Sequence, residues 1–149
     1  MFGANARAAA LAMTAATFLG VAGCRTVSDL RTAALTEGAQ RNFADDYDEV
    51  TRASVAAVKS LDLTIEEVTQ VDKNTWHVLA TAGVSAFSWG ELVRVSVRRQ
   101  PARDVSVWVL TLRRLAVNVT AKDDYSPEVF RLMDSNLRSR QTSSEASAP

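Results

Sequence analysis

Residues 91–112 read ELVRVSVRRQPARDVSVWVLTL, and this stretch decides the fold. In its first half Val93, Val95 and Val97 alternate with Arg94, Ser96 and Arg98, the period of two that marks a half-buried strand. QPARD follows as a turn, with Pro101 placed to break pairing. In the second half Val105, Val107 and Val109 face one way, and Trp108, Leu110 and Leu112 the other. A strand apolar on both sides is central or covered. The stretch is therefore a hairpin in an antiparallel sheet.

Working upstream, TWHVLATAG (75–83) puts Trp76, Val78, Ala80 and Ala82 on one side and Thr75, His77, Leu79 and Thr81 on the other. VDKN (71–74) is a turn. LTIEEVTQV (63–71) alternates at Leu63 and Ile65, then places Val68 out of phase, as a bulge does. Before it, DDYDEVTRASVAAVKSL (45–61) changes period: Tyr47, Val50, Ser54, Ala57, Val58 and Leu61 recur at helical spacing, behind acids at the positive end of the helix dipole. Downstream, LAVNV (115–119) continues the last strand or bends away from it. A second helix then opens with Ser126 as N-cap and Pro127 as first helical residue, and carries a stripe of Val129, Phe130, Met133 and Leu137. The predicted class is α+β: helix, antiparallel meander of about four strands, helix, with both helices on one face of the sheet.

The 149 residues carry 17 Lys+Arg and 17 Asp+Glu, so net charge draws the chain neither to nucleic acid nor to a membrane surface. A single cysteine excludes an internal disulfide and a cysteine-based zinc cluster, and a single histidine excludes a multi-histidine metal site. No cofactor-binding motif is present: there is no Ser-His-Asp grouping, phosphate-binding glycine loop or cysteine pair.

The lone cysteine lies in FLGVAGCRT (18–26). Arg7 is the only charge before Arg25, and between them runs AAALAMTAATFLGVAG, apolar and small. A positive start, a short apolar run and a small-residue cleavage site describe an export signal, too short and alanine-rich for a spanning helix of about 20 strongly apolar residues. Val21-Ala22-Gly23-Cys24 resembles the lipobox of bacterial lipoproteins. That resemblance implies cleavage before Cys24 and acyl chains on it. With Arg25 rather than Asp in the next position, it implies the outer membrane rather than the inner. The expected layout is a signal peptide over 1–23, the lipidated Cys24 with a tether over 24–42, the α+β domain over 43–138 and a disordered tail over 139–149. A flexible coil of the tether's length spans roughly 20–25 Å, enough to lift the domain off the bilayer.

Ser88-Trp89-Gly90-Glu91, together with the order of elements from Tyr47 to Leu137, resembles a turn in small uncharacterised bacterial α+β domains. Those have an Asp-Trp-Gly-Lys-Asn segment before the last helix, where this chain has Ala121-Lys122-Asp123-Asp124-Tyr125. The resemblance implies the fold and brings no activity. In the motif Gly90 supplies a positive φ or a bulge, Ser88 bonds the turn, and Phe87 and Trp89 either close the core or meet a ligand.

The candidate binding surface is a run of arginines: Arg94, Arg98, Arg99, Arg103, Arg113 and Arg114. It reads either as a basic face for anionic headgroups, lipopolysaccharide phosphates or an acidic partner, or as a solvated face paired with neighbouring acids. His77 stands alone and reads as structural or exposed. Asp123 and Asp124 read as turn formers. Asn118-Val119-Thr120 matches the glycosylation pattern, which a strand in a bacterial lipoprotein does not use. The expected function is a non-enzymatic, lipid-anchored envelope protein that binds a partner protein through its sheet face or edge strand. Export excludes nucleic acid. The alternative is a carrier of a lipid or small anionic amphiphile in a groove between sheet and helix.

Overall fold

The computed structural model describes residues 23–83, 90–102, 104–115, 121–122 and 124–146. In chain order the elements are α1 (Val27–Thr32), β1 (Ala39–Phe43), α2 (Tyr47–Lys59), β2 (Thr64–Asp72), β3 (Thr75–Thr81), β4 (Glu91–Arg99), β5 (Val105–Arg113) and α3 (Ser126–Ala146). All strands are antiparallel, in the order β1-β5-β4-β3-β2. The class is α+β, and β2 to β5 form the expected meander.

Register turns the alternation of the sequence into two faces. Val95 pairs with Val78 on one side and Val109 on the other, so these three form one apolar row under α2 and α3. Val93, Val95 and Val97 are at most 1% exposed and pack with Val50, Val58, Val129 and Met133 of those helices. Each buried valine contributes roughly 1.5–3 kcal/mol. These side chains pack at the interface between the helices and the sheet. Asp46 caps α2 by accepting from the Asp48 N–H, and Tyr47, Val50, Ser54, Ala57 and Val58 are buried as the spacing predicts. The bulge in β2 falls between Ile65 and Glu67. Gly90 has φ +87°, and a Cβ there would lie 2.6 Å from the Ala82 carbonyl oxygen, so the turn into β4 requires glycine.

The structure differs from expectation at both ends. Residues 24–42 are not a free tether: within them lie α1 and most of β1, which adds a fifth strand outside β5. α1 covers the second face of the sheet, where Leu30 packs on Leu79, Leu92, Leu110 and Leu112. Only α2 and α3 share a face; α1 makes the architecture three-layered. At the C-terminus α3 runs to Ala146, through most of the expected tail. Its first turn is capped differently too. Val129 donates to the Tyr125 carbonyl, while the Ser126 N–H and hydroxyl both bond Asp124, which acts as the expected turn former. Phe87, Ser88, Trp89, Arg103, Asn118 and Asp123 lie outside the described residues.

Candidate functional site

The arginine run does not make one surface. Successive residues of a strand point to opposite faces, so Arg94 and Arg98 turn toward the α1 face and Arg99 toward the α2/α3 face. Arg98 and Arg99 are exposed at one end of β4, where Arg99 stacks 4.5 Å over the Tyr47 ring. Burial raises the pKa of Tyr47, against the opposing pull of that guanidinium. Arg113 and Arg114 lie at the other end of the sheet, half-buried.

Arg94 is the main correction. It is fully buried, and so cannot belong to an exposed binding face. Its guanidinium donates through Nη1 to the carbonyls of Leu30 and Ala33, each at 2.8 Å, and through Nη2 to that of Ala34 at 2.6 Å. These carbonyls end α1, where backbone acceptors have no intrahelical partner and the dipole is negative. Leu79 and Leu110 flank Arg94 on the neighbouring strands. Burial lowers its pKa, and the charge of Glu37 opposes that shift. Thr26 begins the same short helix with a capping box: its backbone N–H and hydroxyl donate to the Asp29 carboxylate, and its hydroxyl accepts from the Asp29 N–H. The bonds from Thr26 hold the Asp29 carboxyl below its usual pKa.

Cys24 is exposed and free, immediately before this capped segment. The Arg25 N–H donates to the Arg114 carbonyl at 2.8 Å. The chain is thus tied to the sheet one residue after the cysteine.

A groove that the arginine run did not foretell lies along the opposite edge. Its volume is about 470 Å³, and it runs between α2 and the β2/β3 hairpin. Val55, Ala56, Val68 and Trp76 make its floor, while Arg52, Lys59, Arg140 and Asp48 stand around it. None of the three cations is in an ion pair among the described residues. β2 is an outer strand, and on it Val68 and Val71 are 43% and 51% exposed, the large apolar residues most open to solvent among those described. The sequence carried one signal of this site, the out-of-phase Val68. Of the cations, Arg52 and Lys59 lie two turns apart on α2, and Arg140 comes from α3, far along the chain.

His77 sits on the α1 face of β3, 8% exposed, with its Nε2 unpartnered. Burial lowers its pKa, helped by the charge of Arg94. Among the described residues no cluster of three or more His, Cys, Asp or Glu is arranged to hold a metal ion, and no helix is long and apolar enough to cross a membrane. No protein-family model and no curated protein matches the chain.

Proposed function

We propose that this chain is a lipid-anchored protein of the bacterial cell envelope, held by acyl chains on Cys24, facing the periplasm and acting by binding another envelope protein rather than by catalysis. The observation that carries the reading is the position of Cys24: exposed, behind Val21-Ala22-Gly23, and directly ahead of a capped, folded segment. At about 0.8 kcal/mol per buried CH₂, two or more chains on that residue hold a protein stably, whereas one is marginal. Arg25 after the cysteine favours the outer membrane. The valines of the sheet packed directly against α2 and α3 favour an interaction module over a carrier with a ligand between sheet and helix.

Metabolic labelling with an alkyne-bearing palmitate tests the anchor. The wild-type chain takes up label and sediments with membranes; Cys24→Ser takes up none and keeps its leader. An unlabelled wild-type chain that begins at Met1 with an unmodified thiol refutes the anchor.

A further inference from the structure

We infer that the groove between α2 and β2 takes an extended acidic segment of a partner protein, which adds to the sheet as a strand beside β2. This rests on the binding role proposed above and names the partner's chemistry.

Two observations meet at the groove. The first is the free edge. An outer strand presents unpaired N–H and C=O groups along one side, and an added strand satisfies them. The chain's two edges differ. β1 spans five residues, and Gln40, Arg41 and Asn42 at its centre are polar and exposed. Arg41 is further engaged, with Asp134 at 2.8 Å and over the Phe43 and Phe130 rings. β2 spans nine residues and exposes Val68 and Val71. Its bulges lie toward the two ends, and between them Glu67, Val68, Thr69 and Gln70 pair in unbroken register with Leu79, Val78, His77 and Trp76. A regular template of four residues is therefore open on its outer side among the described residues.

The second observation is charge. Arg52, Lys59 and Arg140 oppose a single acid, Asp48, around the apolar floor. Of the acids on β2, Glu67 lies on the α1 face, away from the groove, and Glu66 and Asp72 lie at the two bulges, outside the four-residue template. Glu66 accepts from the Thr81 hydroxyl at 2.8 Å, and Glu67 is held by Arg31 at 2.6 Å and by Thr69. In a strand laid along β2, alternate side chains reach the groove beside Val68 and Trp76, and carboxylates there meet the three cations. An amphiphile would use the floor and the cations and leave the backbone edge unpaired. The edge is what favours a peptide.

The test is a fluorescence-polarisation titration of the full chain carrying Cys24→Ser. The probe is a peptide of about eight residues with alternating valine and glutamate, enough to span the template at roughly 3.3 Å per residue. Saturable binding is expected, weakened about tenfold or more by Arg52→Glu combined with Arg140→Glu, and weakened by Val68→Ser. Both changes are on the surface, and an unchanged urea midpoint verifies folding. N-methylation of alternate amides, in whichever of the two phases meets β2, must abolish binding. Three results overturn the inference: no saturation up to about 1 mM peptide; equal affinity for a valine–lysine peptide or for both N-methylated forms; or uptake of a fluorescent fatty acid that the peptide cannot displace. Acylation of Cys24 plays no part in this titration, so its failure leaves the anchor standing, and failure of the anchor leaves the titration unaffected.

Discussion

Replacing Arg94 should detach α1 from the sheet. A six-residue helix has no stability of its own in water, so α1 exists only while docked. Its two buried anchors are Leu30, packed on Leu79, Leu92, Leu110 and Leu112, and the Arg94 guanidinium on three carbonyls; Val27, Ala33 and the more exposed Arg31–Glu67 pair add to them. Hydrogen bonds from a charged donor are worth roughly 1.5–3 kcal/mol each, net of exchange with water. The guanidinium has no carboxylate in hydrogen-bonding range among the described residues, so the cost of burying its charge offsets part of that gain. Loss of docking by either group is capped by the free energy of docking α1, about 2–5 kcal/mol if the Leu30 side chain sets the scale. Arg94→Ala and Leu30→Ala should each cost about 3 kcal/mol, and the double variant well under their sum, since a helix already released cannot be released again. Arg94→Lys should fall between wild type and Arg94→Ala, because one ammonium cannot span acceptors on three residues as a planar fork does. Urea unfolding measures the totals. Amide exchange over residues 27–38 reports the detachment, while β4 and β5 remain protected. Additive losses within about 0.5 kcal/mol, or no faster exchange in α1, would refute the reasoning.

His77 has a pKa below its ordinary 6.5 because it is buried near Arg94. The unfolded chain therefore binds the proton more readily, so stability is full above about pH 6.5 and is lost as pH falls toward the folded value. His77→Gln should flatten the fall in urea midpoint between about pH 7 and pH 5, and an unchanged slope counts against this assignment. Gly90→Ala puts a methyl 2.6 Å from the Ala82 oxygen at φ +87° and should cost about 1–3 kcal/mol, read as a lower thermal midpoint; a neutral result would mean that the turn into β4 is not fixed.

The meander and its two helices were legible because period carries them. Val93-Val95-Val97 and Tyr47-Val50-Ser54-Ala57-Val58 each repeat long enough to fix an element and its inner face. The third layer was hidden by shortness. α1 buries a single residue, Leu30, and one residue has no period. Its two traces lay apart. Thr26 and Asp29 have capping-box spacing, and β5 is apolar on its second side, where α1 is the cover for Leu110 and Leu112. β1 shows no alternation because Gln40, Arg41 and Asn42 are exposed and only Phe43 is buried. Arg94 misled for a related reason. In one strand it alternates with valines like any solvated residue, and only the cross-strand register, with Leu79 and Leu110 on either side, places it in an apolar layer. Beyond Leu137 the last helix buries no residue whose side chain is described, so composition read as a tail.

The docked α1 changes what an anchor at Cys24 would do. A free tether would let the domain stand roughly 20–25 Å from the bilayer and turn freely. With Arg25 bonded to Arg114 and Thr26 already capping a helix, almost no slack remains. Acyl chains on Cys24 would therefore hold the sheet end that carries Arg114 and Gly90 against the headgroups, and any pull on the anchor would pass through α1 to the Arg94 carbonyl contacts. Anchor and groove stay separate in this arrangement. Arg25 is tied to the end of β5, while the groove borders β2, three strand spacings or about 14 Å across the sheet. A partner strand laid along β2 would extend the sheet away from the lipid attachment, so membrane retention and partner binding would load different strands of one sheet, β5 and β2.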